Sequence, residues 1–176
     1  MAIEITTSQE YLYFGRVINL RIDNVRLADG MPARREIVEH RDAVAIVPVD
    51  KAGNVLLVRQ FRKPTEQELF EIPAGVMEEG ESPDDAARRE LAEETGQTAD
   101  TLRCLASFYT TPGFCNEYMH LLLATDLRPM AAAPDDDEDI TLAWLPLADA
   151  VAMIETGDIR DAKTIIGLLM VTRGRE

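Results

Sequence analysis

Between Ser82 and Gly96 the chain carries the start and stop signals of one short helix. Ser82 is a good N-cap and Pro83 suits the first helical turn. Asp84 and Asp85 favour the positive end of the helix dipole, and Gly96 suits the residue just past the C-terminus. These signals predict a helix over Pro83 to Thr95. Within it, Glu90, Glu93 and Glu94 stand at i, i+3 and i+4, so they share one face. That face borders the stripe of Ala87 and Leu91 instead of opposing it. Like charges at i,i+4 destabilise a helix by roughly 0.2–0.5 kcal/mol, and neither Arg88 nor Arg89 clearly neutralises all three. Clustered charge ordinarily means a solvated face. A hard divalent cation, which binds carboxylate oxygens together with substrate phosphates, would relieve the repulsion.

The rest of the chain supplies strands before this helix and a mixture after it. Val17 to Val25 alternates apolar and polar residues, Asp29-Gly30 marks a turn, and Arg34 to Glu39 resumes strand character. This opening hairpin reads as a small N-terminal antiparallel β-sheet, thin enough to need support from something else. Ala43 to Val49 is nearly all apolar, although Pro48 suggests an edge or a bulge. Strands are expected at Val55 to Phe61, Leu69 to Pro73, Leu102 to Tyr109, Glu117 to Ala124 and Ile140 to Leu145. Two further helices are expected at Leu147 to Glu155 and Asp161 to Met170. The order of strands, helix, strands and helices predicts an α+β chain with a mixed sheet and helices on both faces. We expect two regions, an N-terminal β-hairpin region over 1–41 and a main domain over 42–176.

Charge and composition exclude several functions. Acidic residues outnumber basic ones 32 to 18, a net charge of −14. A nucleic-acid or anionic-membrane surface needs positive patches, so neither partner is expected. No apolar run is long enough to span a bilayer. The opening MAIEITTSQE lacks the basic and apolar regions of a secretory signal. Cys104 and Cys115 have no metal-ligand spacing and are expected as reduced thiols, in keeping with a cytoplasmic location. An anionic substrate would need positive charge brought to it locally.

The stretch GVMEEGESPDDAARRELAEETGQ, Gly75 to Gln97, resembles the Nudix box. The matching positions are Gly75, Glu81, Arg89, Glu90, Glu93, Glu94 and Gly96. Gln97 departs from the aliphatic or aromatic residue usual there. The resemblance implies an α/β/α sandwich and Mg²⁺- or Mn²⁺-dependent cleavage of a nucleoside diphosphate linked to another group, with two or more ions. It implies Glu90 and Glu94 as principal ligands with Glu93 nearby, and the backbone carbonyl of Ala74 as another ligand. It gives Gly75, Glu81 and Arg89 supporting roles around those ligands.

Segments outside the box narrow the resemblance to bacterial ADP-ribose pyrophosphatases. These are RREIVEH (34–40), VRQFRKP (58–64), EIPAG (71–75), the TPG turn of Thr111, Pro112 and Gly113, and DAKT (161–164). The resemblance implies hydrolysis of ADP-ribose to AMP and ribose 5-phosphate. Arg62 would bind the diphosphate, which suits its planar two-toothed donor. Arg35 and Glu36 would recognise the nucleotide end, with His40 beside them or merely structural. Thr111, Pro112, Gly113 and Glu117 would contact the terminal ribose and phosphates. In the acidic run DDDED (135–139), Asp136 falls at the general-base position and Glu138 at a second metal-side position; Asp136 is one methylene shorter than the family's glutamate. The resemblance also implies a homodimer with exchanged N-terminal strands. Tyr11, Tyr13 and Phe14 could then face adenine or the partner, or else form local core. The alternatives are hydrolysis of another nucleotide sugar such as GDP-mannose, and a non-catalytic ADP-ribose sensor of the same fold. Retention of every box glutamate favours an enzyme.

Overall fold

The computed structural model describes residues 3–131 and 140–174. The elements run β1 (Ile5–Phe14), β2 (Ile18–Arg26), β3 (Pro32–His40), β4 (Ala43–Pro48), β5 (Asn54–Arg62), β6 (Gln67–Glu71), β7 (Ala74–Val76), α1 (Pro83–Thr95), β8 (Gln97–Tyr109), β9 (Tyr118–Pro129), β10 (Ile140–Pro146), α2 (Leu147–Thr156) and α3 (Ala162–Arg173). They form two compact units, residues 1–42 with 108–119, and residues 43–107 with 120–176.

The first unit is an antiparallel sheet in the order β1-β2-β3. It is the small antiparallel sheet expected, with strand β1 added to the hairpin of β2 and β3. All ten residues of β1 are exposed, and Tyr13 and Phe14 are 56% and 70% exposed, so these aromatics are not local core. Tyr11 stacks on Phe14 with ring centroids 4.8 Å apart. The segment after Thr111 docks on β3: Val38 N–H donates to the Phe114 carbonyl at 2.8 Å, and Asn116 N–H donates to the Val38 carbonyl at 3.3 Å.

The second unit holds a four-stranded sheet, β7-β4-β9-β8, and a three-stranded sheet, β10-β5-β6. Every residue of β4 is buried, which requires cover on both faces, since successive side chains of a strand point opposite ways. Helix α1 supplies one cover. Its Ala86, Ala87 and Leu91 pack in one cluster with Val44 and Ile46 of β4 and Leu122 and Ala124 of β9. Helix α3 supplies the other, because Gly167 approaches Val47 and Leu121, the alternate residues. This is the expected α/β/α sandwich. Strand β4 lies between β7 and β9, but its register with β7 covers only Ala43 to Ala45, so Pro48, its last residue, stands past the end of that ladder, in the edge-like position its missing N–H predicts.

The closeness of α3 depends on Gly167. A Cβ there would fall 2.7 Å from Val47 Cγ2 and 3.3 Å from Ile72 Cδ1. Both are fully buried and have nowhere to retreat. Overpacking such a contact costs about 1–3 kcal/mol, more than the roughly 0.5–1 kcal/mol gained by removing a helical glycine. Gly167→Val is therefore expected to lower the melting temperature by several degrees in a thermal unfolding scan.

Candidate functional site

Helix α1 forms where its caps predict. Ser82 Oγ accepts from Asp85 N–H, Pro83 opens the first turn, and Gly96 adopts φ 65° at the C-terminus. Burial of Ala87 and Leu91 fixes the helix's rotation, and this turns Glu90 and Glu94 toward the segment Ala74–Val76. Arg89 then organises them. Its Nε and Nη2 donate to the two oxygens of Glu81 at 2.9 and 2.8 Å. Its Nη1 donates to Glu90 at 2.7 Å and to Glu93 at 3.1 Å, and Nη2 also reaches the Val76 carbonyl at 3.2 Å. One arginine therefore serves two of the three helix carboxylates and, as the sequence suggests, not all three. The third, Glu94, accepts from Ala74 N–H at 3.2 Å. The bonds to Arg89 hold the Glu81 carboxyl below its usual range, and Glu81 in turn raises the Arg89 guanidinium.

Gly75 makes room for Glu90. A Cβ at residue 75 would lie 2.0 Å from Glu90 Cδ, so the carboxylate occupies the space a side chain would need. Glu90, Glu94 and the Ala74 peptide thus share one corner. Among the described residues, no three Asp, Glu, His or Cys side chains close a cage that could hold a metal by themselves. An open set of hard oxygen donors suits Mg²⁺ or Mn²⁺, because Mg²⁺ is usually bound through one or two carboxylates plus substrate phosphates. The residues present fit such an ion.

Beside this corner is a group of buried charges. Glu71 is 2% exposed. Arg62 grips it with Nε to Oε1 and Nη2 to Oε2, both at 2.8 Å. Lys163, from the first turn of α3, pairs with the same Oε2. The Arg62 guanidinium is raised, chiefly by its bonds to Glu71, with Glu94 and Asp161 adding to the effect. Sequence reasoning singled out EIPAG and DAKT but assigned no role to Glu71 or Lys163; the signal available was a glutamate, an arginine and a lysine in three motif segments.

In the first unit, Arg35, Glu36, Pro112 and Gly113 line one pocket with Arg21 and Phe114. Arg35 forks onto Glu4, with Nε 2.9 Å and Nη2 2.5 Å from its oxygens. Thr111 closes the turn, its carbonyl accepting from Phe114 and Cys115 N–H. Glu117 accepts from Thr110 Oγ1 at 2.5 Å, and His40 Nδ1 stands 3.6 Å from its other oxygen. Asp136 and Glu138 lie outside the described residues.

A helix of paired carboxylates set on an α/β/α sandwich defines a class, and comparison with known proteins gives its name. Residues 39–167 match the model described as NUDIX domain, and the chain belongs to that family. It is 42% identical over 163 residues to the ADP-ribose pyrophosphatase of Bacillus subtilis (strain 168), covering 92% of this chain and 88% of that protein. It is 41% identical over 167 residues to the methanol dehydrogenase activator of Bacillus methanolicus, covering 94% and 90%. The solved structure of an ADP compounds hydrolase matches with a TM-score of 0.89 and 26% identity, over 97% of this chain and 93% of its own.

The buried carboxylate sets a pH dependence. Burial alone would push the Glu71 carboxyl up, but the bonds from Arg62 and the charge of Lys163 outweigh it and hold the group below its usual 4.5. A depressed carboxyl contributes stability that is complete above the unfolded value and is lost as pH falls through the folded one. At pH 7, Glu71→Gln is expected to cost about 1–3 kcal/mol, as for lost hydrogen bonds between charged groups. Below pH 4.5 the gap between variant and wild type should narrow. Urea unfolding at pH 7 and at successive lower pH values measures it.

Proposed function

We propose that this chain hydrolyses the diphosphate of ADP-ribose to AMP and ribose 5-phosphate, using Mg²⁺ or Mn²⁺. The observation that carries the reading is the corner of Glu90, Glu94 and Ala74, kept open by Gly75 and organised by Arg89. The ADP-ribose pyrophosphatase at 42% identity supports the choice of substrate. Glu90, Glu94 and the Ala74 carbonyl hold the ions, at least two in number, and Glu93 stays close by. The bound ions supply charge neutralisation for the diphosphate and acidify a water molecule. Arg62 binds the diphosphate; Arg89 and Glu81 keep Glu90 and Glu93 in place. Arg35 and Glu36 recognise the nucleotide end, and Thr111, Pro112, Gly113 and Glu117 the terminal ribose and phosphates. Asp136 takes the proton of the attacking water, with Glu138 near an ion. Water adds across one P–O bond of the bridge, its hydroxyl joining one phosphorus and its proton ending on the departing phosphate oxygen.

We place the activity in the cytoplasm, where cysteines such as Cys104 and Cys115 stay reduced; both are free thiols here. No helix among the described residues is long and apolar enough to cross a membrane. A panel with ADP-ribose and GDP-mannose, with the products separated by chromatography, tests the substrate assignment; dominant turnover of GDP-mannose would overturn it. Glu94→Gln keeps shape and removes charge. It should cut kcat/KM by at least about 100-fold, or about 2.7 kcal/mol. It should also abolish the rise in melting temperature that millimolar Mg²⁺ gives the wild type, since an ion that binds only the folded state stabilises it. Near wild-type turnover at saturating Mg²⁺ would remove Glu94 from the ligand set.

The N-terminal region of 1–41 serves dimerisation and substrate recognition in this reading. A ten-residue strand with every residue exposed is a template for pairing, and exchange of an identical element is a low-cost route to a symmetric dimer. Sedimentation equilibrium should return twice the 19.6 kDa chain mass. Phe14→Asp should shift the protein toward monomer and weaken ADP-ribose binding; a monomeric wild type would overturn the exchange.

A further inference from the structure

We propose that Lys163 is a positioning residue for Arg62, acting through the buried carboxylate of Glu71. The proposal rests on the reading above in which Arg62 meets the diphosphate. The starting point is Glu71, 2% exposed. A buried carboxylate must be paired and hydrogen-bonded. Arg62 meets it with two parallel bonds at 2.8 Å. That contact uses Nε and Nη2; Nη1 takes no part in it. The Arg62 side chain is 37% exposed, so one edge is held inside while the head remains reachable.

Lys163 governs how tightly that inner edge is held. It pairs with the Oε2 that also accepts from Arg62, so Glu71 divides its charge between two cations. Lys163 is itself anchored. It is 14% exposed and stands 3.1 Å from Asp161 Oδ2, the N-cap of α3. Thr164 Oγ1 donates to the same Asp161 oxygen at 2.6 Å and accepts from Ile72 N–H at 2.8 Å. The residue following Glu71 is thereby tied to the helix turn that carries Lys163. Glu71 is fixed from two sides, at its neighbour's backbone by Thr164 and at its carboxylate by Lys163. The DAKT segment thus sets the seat on which Arg62 rests. With Lys163 neutralised, Glu71 and Asp161 would both pull on Arg62, and its orientation and attraction for an anionic diphosphate would suffer together.

The test is a mutant cycle on the full-length protein. Wild type, Lys163→Met, Arg62→Ala, and Arg62→Ala/Glu71→Gln with and without Lys163→Met are assayed on the nucleotide sugar that wild type cleaves best. Failure to cleave ADP-ribose overturns the functional reading and leaves the cycle readable on another substrate. Lys163→Met should raise KM about tenfold with kcat within about twofold. In an Arg62→Ala background that also carries Glu71→Gln, so that no buried carboxylate loses both its cations, the same change should move KM less than about twofold, because Lys163 then has nothing to position. Lys163→Arg should restore most of the affinity. If Lys163→Met does not fold, Lys163→Gln takes its place in the cycle. An unchanged KM in a folded variant overturns the proposal, as does an equal rise in both backgrounds, which would mean that Lys163 acts on its own. An Arg62→Ala enzyme with normal KM overturns it too.

Discussion

The arrangement of α1 depends on one guanidinium. Arg89 makes bonds to Glu81, Glu90, Glu93 and the Val76 carbonyl. Without it, three carboxylates on adjoining positions of a helix would spread to reduce their repulsion. A lysine could not replace it, because a point charge has no fixed fork with which to set several oxygens in relation to each other. The arginine works only because the helix cannot roll. Ala87 and Leu91 are fully buried against β4 and β9, and that apolar underside fixes where Glu90 and Glu94 emerge. Gly75 completes the arrangement by leaving space at the place where Glu90 rests.

The short segment Glu71–Val76 is where the layers of the sandwich meet the chemistry. Helix α3 grips it at Ile72, through Thr164, and at Glu71, through Lys163. Helix α1 grips it at Ala74, through Glu94, and at Val76, through Arg89. The two helices cover opposite faces of β4, as the alternation of Val44 and Ile46 against Val47 shows. Each reaches round to the same short run of backbone. A strand buried on both faces therefore does more than fill the core: it sets the separation of two helices whose polar ends must agree on one segment.

What was legible in the sequence was whatever depends on local signals. The limits of α1 matched, because Ser82, Pro83 and Gly96 act within one turn of the chain ends they define. The shared face of Glu90, Glu93 and Glu94 was legible from their spacing, and their membership of a box only from the resemblance. The strand β1 was not, because ITTSQEYLYF has no buried face in this chain, and periodicity reports burial and not hydrogen bonding. Pro48 was legible as a position without a ladder partner on the β7 side, since β7 pairs only with Ala43 to Ala45, but not as the end of a strand that is interior elsewhere. The bond from Arg89 to both Glu90 and Glu93 was hidden by side-chain reach that spacing does not encode. Glu71 and Lys163 are 92 positions apart, and no local pattern joins them.

The same geometry bears on how a chain of net charge −14 could hold a diphosphate. Arg89 is committed to carboxylates, and Lys163 to Glu71 and Asp161. Arg62 spends two of its nitrogens on Glu71. Two unit charges about 4 Å apart interact by about 4 kcal/mol at an effective dielectric of about 20. A diphosphate approaching Glu90 and Glu94 would thus meet repulsion of several kcal/mol, and these three cations are already largely committed to carboxylates. In the proposed reaction the divalent ions are for this reason a condition of binding as well as of bond cleavage. The internal pairs serve a different end: they keep the carboxylates in register before ions and substrate arrive, so that both enter a site already arranged.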